Sequence, residues 1–535
     1  MNAERPLLSP ELAGDEDAFA PRRMTAAGGN INVVPVATDT AWAVAFKVNV
    51  AITLLSAVYF GVSGWRALDD GRFPTDDDGL HNRRLLSGGG VVVLAPVLFC
   101  VGTVGIGWGF AWAMLHLIIT FSRQILQVAY LSFIGVSAVA AVTALATGHW
   151  LFWLVPAFLC AWCGRFFLRR QSRIHFGSAN LKARSGSKGV AALAVRSMPW
   201  TIRAAFLTSG VQLLWILLWA FAAGTCAASF QQVTAPGGTV YPASDCRDVD
   251  SPRSCQCRGE VVSYNSSCSF EGQPISFWVT CFWAASLFWG ICVINNVVTA
   301  TVTGSVASWW FSPGDPSPVK GALHRATHGS FGSLCKAAAI STAAQLFVQA
   351  VRRLSKVGRW GSYLMEWVRN VVDYALTYAI CFISIYGLSF SEASRRVSEL
   401  FKRRGVTTIA NDSVVGVGLS ALVVVLTLCY LGATYLVLVL AGDVLGIKGW
   451  PLSTALMAFA CGYVFVAVVA TTTAEVLRAS YKAVFVCFVQ DPEALAKSHG
   501  RQVYDDLSRA WREMELECPW MTSNAHVGHH GIQDV

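Results

Sequence analysis

Apolar residues gather along this chain into long stretches separated by short polar or basic segments. Ten stretches are long enough to cross a bilayer: 41–63, 91–114, 124–146, 148–168, 205–228, 275–299, 330–351, 371–390, 414–441 and 453–475. About 20 apolar residues in helical form span a hydrocarbon layer ~30 Å thick. Backbone polar groups in lipid must be satisfied within the segment, so helices are expected rather than open strands. The pattern predicts an all-α polytopic membrane protein of about ten transmembrane helices. An N-terminal tail over 1–40 and a C-terminal tail over 476–535 flank a membrane domain over 41–475. The first forty residues run acidic, hold several prolines and are poor in aromatics, which predicts a disordered cytoplasmic tail. They lack a basic region followed by an apolar one, so no cleavable signal peptide is expected.

Composition agrees with that pattern. Hydrophobic residues make up 54% of the 535 and charged residues only 14%, against about 25% charged in soluble domains. A water-facing surface of this size could not be covered. The net charge of +9 points to orientation in a membrane rather than to nucleic acid, because Lys and Arg collect in cytoplasmic loops. Residues 169–203 hold eight Lys and Arg with no acidic residue, and 391–412 add Arg395, Arg396, Lys402, Arg403 and Arg404. Both segments are expected on the cytoplasmic side. The loop 231–274 is acidic on balance and is expected outside, with both termini inside. Ten crossings place 351–370 outside although it holds Arg352, Arg353, Lys356, Arg359 and Arg369. Either those charges snorkel around a short outer loop, or 330–351 and 371–390 form a re-entrant pair.

Four of the sixteen cysteines, Cys246, Cys255, Cys257 and Cys268, cluster in the outer loop. Two disulfides are expected there, with three connectivities open. Zinc is the competing assignment, but the spacing matches no usual ligand pattern and the loop has no histidine. Asn265-Ser266-Ser267 in the same loop is a glycosylation sequon, consistent with the outer side. Asn411-Asp412-Ser413 also fits the pattern but is expected to face the cytoplasm unmodified.

Other chemistry is thin. Cys160 and Cys163 have redox spacing without the strand–turn–helix context that activates a thiolate. Gly102, Gly105, Gly107 and Gly109 fall in an apolar stretch, where close helix packing explains them better than a nucleotide loop. His116 and His149 lie at or near membrane depth, and His526, His529 and His530 lie in the C-terminal tail. No metal centre, cofactor site or ATP-binding domain is expected.

Three spaced segments resemble the choline transporter-like family of ten-helix solute carriers. One runs from Trp289 through Asn296 and Gly304 to Trp309-Trp310-Phe311. The second is Arg325-Ala326 followed by Ser330-Phe331-Gly332-Ser333-Leu334-Cys335, and the third joins Tyr378-Ala379 to Tyr386-Gly387, Arg404-Gly405 and Asn411-Asp412-Ser413. Asp491-Pro492 with Tyr504 resembles the family's end, and Asp39, Trp42 and Phe46 resemble its first helix. The chain departs from the family at Leu376-Thr377, where a polar residue usually precedes the Tyr-Ala pair, and its 64–90 loop is short. That combination is closer to the fungal and protist branch.

The resemblance implies transport of choline or a related small organic cation across the plasma membrane, by uniport or proton exchange. Choline is a permanent cation without N–H donors, so aromatic faces suit it, each attracting it by ~0.5–2 kcal/mol. The candidates for that role are Trp283, Trp289, Asn295, Asn296, Tyr374, Tyr378 and Tyr386. Tyr374 and Tyr378 lie one turn apart on one helix face. Thr299 and Thr303 extend a polar stripe below Asn296, and Asp373 and Glu475 are the carboxylates placed to steer a cation. Each aromatic taken singly also fits an interfacial belt or packing, and each asparagine also fits helix–helix bonding. Two further classes stay open: a membrane-embedded enzyme acting on lipid head groups through His116 or His149, and a structural protein whose basic loops dock on anionic lipid.

Overall fold

The computed structural model describes residues 38–69, 190–229, most of 231–272, 277–354, 359–399, 452–505 and 507–509, with isolated positions elsewhere. Its helices are α1 (Thr40–Asp69), α2 (Val190–Ser197), α3 (Pro199–Ser229), α4 (Phe277–Phe311), α5 (Pro318–His324) and α6 (Phe331–Leu354). They continue with α7 (Arg359–Tyr386), α8 (Phe390–Glu399), α9 (Leu452–Gln490) and α10 (Pro492–His499). A single π-helical turn, Arg325–Gly329, joins α5 to α6.

Among the described residues five helices are long and apolar enough to cross a membrane: Thr40–Gly61, Pro199–Cys226, Trp278–Phe311, Phe331–Val351 and Tyr463–Gln490. Val371–Tyr386 with Phe390–Glu399 makes a sixth apolar unit, bent by 114°. Gly387 forms the corner: its φ is 66°, a left-handed conformation that a residue without Cβ adopts freely. Its amide still donates to the Ile383 carbonyl at 2.8 Å, so the helix is closed off before the chain turns. The remaining four expected spans, 91–114, 124–146, 148–168 and 414–441, lie almost wholly outside the described residues.

Three boundaries differ most from those expected by hydropathy. Helix α4 runs on to Phe311 rather than ending near 299, and α7 begins at Arg359 rather than 371. Much of the basic 351–370 segment, expected as a loop, is therefore helix, and Arg369 reaches Asp373 one turn on. Helix α9 continues to Gln490, past the expected end at 475. The hydropathy dip at Glu475 and Arg478 is an ion pair one turn apart, which neutralises both charges on the helix itself. Beyond it Val484, Phe485, Val486 and Cys487 are buried again.

Helix α4 occupies the middle because nothing on it asks for water. Its 35 residues include no Asp, Glu, Lys or Arg, and a helix apolar on all sides is stable only when surrounded. It packs against α3, α5, α6, α7 and α9. Three of its hydroxyls are absorbed locally: Thr301 donates to Val297 at 2.7 Å, Thr303 to Thr299 at 2.7 Å and Ser305 to Thr301 at 2.6 Å. Thr303 of the expected Thr299–Thr303 stripe is thus bonded to the helix's own backbone. From α7, Ser384 donates to the Ala300 carbonyl at 2.6 Å.

The loop 231–274 is not irregular. It folds into two three-stranded antiparallel sheets, β1 (Gln231–Thr234), β2 (Val240–Pro242) and β6 (Phe270–Gly272) with order β2-β1-β6, and β3 (Cys246–Asp250), β4 (Arg253–Cys257) and β5 (Glu260–Tyr264) with order β3-β4-β5. Disulfide Cys246–Cys257 links the paired strands β3 and β4, and Cys255–Cys268 ties β4 to the segment just before β6. So small a unit has few apolar residues to bury, and the four half-cystines with Val233 form its interior.

Candidate functional site

Four rings on α7 recur every fourth residue: Tyr374, Tyr378, Phe382 and Tyr386. That spacing stacks them along one helix face. The Tyr374 and Tyr378 centroids are 5.1 Å apart, and those of Phe382 and Tyr386 are 5.9 Å apart with the rings nearly parallel. Tyr378 and Phe382 are fully buried. Helix α9 supplies the opposite wall. Phe485 meets Tyr378 edge-on at 6.1 Å. One turn earlier Lys482, only 2% exposed, places its ammonium 5.3 Å from the centroids of both Tyr374 and Tyr378. Both distances lie within the reach of a cation–π interaction. The aromatic pair therefore holds a cation in this conformation, supplied by the protein itself. Further along the stripe, Arg396 of α8 stands over Tyr386 at 5.9 Å.

The other candidates serve helix packing. Trp283 packs edge-on against Trp219 of α3 at 6.2 Å, and its carbonyl accepts from the Trp219 indole at 2.9 Å. Trp289 donates to the Cys335 carbonyl at 3.1 Å and sits edge-on to Phe46 at 5.4 Å. Asn296 donates to the Leu334 carbonyl at 3.1 Å. Trp289 and Asn296, two turns apart on α4, thus pin α6 by its backbone. Asn295 is half-buried beside them. The structure brings together Tyr374 and Tyr378, with Tyr386 on the same stripe; Trp283, Trp289 and Asn296 make their contacts elsewhere. The two steering carboxylates are engaged as well. Asp373 accepts from Ser341 at 2.7 Å and faces Arg369 at 4.0 Å, while Glu475 pairs with Arg478.

A second polar centre lies where α1, α6 and α8 meet. Asp39, just before α1, accepts from the Ser333 hydroxyl at 2.8 Å, the Phe390 amide at 3.0 Å and the Lys336 ammonium at 3.2 Å. Thr38 adds a hydroxyl contact to Ser333 at 2.8 Å and donates its amide to Gly329 at 3.1 Å. Burial alone would raise the Asp39 carboxyl, but the Phe390 amide, the Ser333 hydroxyl and Lys336 together hold it below the usual carboxylate range. The chain approaches so closely that a Cβ on Gly332 would lie 2.3 Å from the Thr38 and Asp39 carbonyl oxygens. This clasp fixes the corner at Gly387 to the first turn of α6 and the start of α1.

The end of α4 is tied to the C-terminal helix. Trp310 donates to the Asp491 carbonyl at 3.1 Å, and Asp491 in turn caps α10 by accepting from the Ala494 amide at 3.0 Å. His499 stacks on Trp309 at 3.7 Å and hydrogen-bonds its carbonyl at 2.8 Å. Burial pushes the His499 imidazole below its ordinary value, outweighing the Trp309 carbonyl, which favours the charged form.

Lys482 and the Asp39 clasp are site features that residue order alone does not single out. The dip in hydropathy at Glu475 and Arg478 places Lys482 in a cytoplasmic tail, although the apolar run Ala483–Val489 after it is a usable signal to the contrary. Residues His116, His149, Cys160, Cys163, Gly102, Gly105, Gly107, Asn265, Asn411, His526, His529 and His530 lie outside the described residues. Among the described residues no cluster of His, Cys, Asp and Glu could hold a metal ion.

A family model described as plasma-membrane choline transporter matches residues 154–493. A CTL-like protein of Dictyostelium discoideum is 24% identical over 407 residues, covering 72% of this chain and 62% of the relative. Protein PNS1 of Kluyveromyces lactis is 27% identical over 246 residues, 42% of this chain and 43% of the relative. Protein PNS1 of Saccharomyces cerevisiae is 25% identical over 244 residues, 42% of this chain and 44% of the relative. The chain thus aligns with roughly two fifths to three fifths of the length of these relatives.

Proposed function

This chain belongs to the choline transporter-like family, and we propose that it carries choline or a related small organic cation through the membrane by alternating access. One observation supports the proposal above others: a pair of tyrosine rings, Tyr378 buried and Tyr374 partly buried, already holds an alkylammonium group. Choline offers the same charge on a quaternary nitrogen that makes no N–H bonds, so ring faces can replace its hydration where carboxylates cannot. In the closed conformation described, Tyr378 is shut off from solvent. Loading a solute therefore requires α7 and α9 to part on one side at a time.

The corner at Gly387 and the Asp39 clasp are the hinge and latch for that movement. They join α7–α8 to α1 and α6 through polar contacts that can break and remake without opening an apolar core. No coupling ion is required for accumulation, since one positive charge moving down ~100 mV gains about 2.3 kcal/mol, roughly fiftyfold in concentration. Uniport or proton exchange both fit that balance. The termini lie in the cytoplasm and the sheet-bearing loop outside, at the plasma membrane, with Asn265 glycosylated. Reconstitution tests the proposal: liposomes containing the protein should take up labelled choline saturably under an inside-negative potential. Uptake no greater than in empty liposomes would overturn it.

A further inference from the structure

We infer that Lys482 is a tethered competitor of the carried cation, holding the Tyr374–Tyr378 seat whenever no solute occupies it. The inference rests on the carrier proposal and specifies what happens at its site. Lys482 lies inside an apolar helix segment, Tyr463–Gln490, and is almost wholly buried. An ionisable side chain at such a place is expensive to keep, and here it is aimed at two ring faces at equal distances of 5.3 Å. Phe485 closes the side of the seat against Tyr378 at 6.1 Å. A solute cation placed over the same faces would meet the lysine ammonium at close range in a medium of low dielectric. The two charges cannot share the seat.

Three consequences follow from that exclusion. The rings stay covered when no solute is bound, so the bundle closes without leaving a bare cation site. The long flexible stem lets Lys482 swing aside towards a polar region when a solute arrives. Selectivity then favours quaternary ammonium ions, which surrender less hydration than a primary ammonium and so displace it most easily. The seat is accordingly one for methylated ammonium compounds, and Lys482 sets how tightly they bind.

Equilibrium binding of choline and of tetramethylammonium to the purified, full-length protein tests this directly. Lys482→Met keeps the stem and removes the charge. It should bind both cations about tenfold more tightly than wild type, because the solute then no longer has to displace an ammonium held by cation–π attraction. Lys482→Arg keeps the charge and should stay within about twofold of wild type. Equal affinity in wild type and Lys482→Met would overturn the inference while leaving the carrier proposal intact. Failure of both proteins to bind either cation would overturn the two together. Should Lys482→Met fold poorly, acylation of lysines in wild type decides the matter. Peptide mass spectrometry should find Lys482 labelled several-fold more with saturating tetramethylammonium than without it, and no rise would overturn the inference.

Discussion

On the carrier proposal, Tyr378 serves binding and Asp39 serves closure. If the Tyr378 ring face is what a cation meets, Tyr378→Phe should leave the KM for choline within about threefold. Tyr378→Leu should raise it roughly two- to thirtyfold, the spread of one cation–π interaction of ~0.5–2 kcal/mol. Equal KM values in the two variants would remove the ring from the site. Asp39→Asn keeps a polar group but removes the Lys336 attraction and should cost about 2 kcal/mol of stability, read as a lower thermal midpoint in detergent. At this scale the sequence is legible where residue type alone suffices. Tyr374 and Tyr378 share a face by spacing, and Asp39 and Gly332 stand in recognisable segments. Lys482 is not legible, because one lysine after an acidic–basic dip looks like the start of a water-facing tail. Only the packing of α9 against α7 shows that the charge is inside. Trp283, Trp289 and Asn296 stand in an apolar helix, where an indole or amide signals a bonded partner. For Trp289 and Asn296 the partner is a neighbouring backbone carbonyl.

Between elements, stability comes from a few close joints. The approach of α1 to α6 leaves no room at Gly332, so Gly332→Ala should force the Thr38–Asp39 segment away and cost about 1–3 kcal/mol. Thermal unfolding of that variant beside Asp39→Asn would show whether both act on one joint, since their effects should then fall short of additive. The docking of α10 on α4 gives a pH signature. His499 has a folded-state pKa below its unfolded value, so its contribution is present above about pH 6.5 and is lost as pH falls through the lower folded value. Wild type should therefore lose more thermal stability between neutral pH and pH 5 than His499→Phe does. Helix ends are the least legible feature, since α4, α7 and α9 all extend past the apolar windows that locate them. The Glu475–Arg478 pair lets α9 run on through the dip in hydropathy, and the Asp491 cap begins α10 directly after α9 ends. The sheets of the 231–272 segment are hidden as well, because their strands are only three to five residues long. Reducing Cys246–Cys257 and Cys255–Cys268 should destabilise that unit by about 3 kcal/mol for each loop of this size. If the loop faces outside, as proposed, a membrane-impermeant reductant should act on intact cells, detected as new thiols.

For the whole molecule, low charge and long apolar helices require a bilayer, and that much is visible in the residue order alone. What the order does not convey is that the central helix α4, without Asp, Glu, Lys or Arg, stands beside two neighbours, α7 and α9, that meet over a pair of phenol rings. On the carrier proposal, α3, α4 and α6 would be the packing spine, and the α7–α9 contact would hold an occupant that exchanges. Transport by this division predicts that fold and function separate. The most direct measurement is choline uptake into proteoliposomes at an inside-negative potential, comparing wild type with Tyr374→Leu/Tyr378→Leu after both run as single species on gel filtration. Saturable uptake by wild type that the double variant loses is the expected result. Saturable uptake of equal size and KM in both, or none in wild type, would contradict a cation path across these two rings.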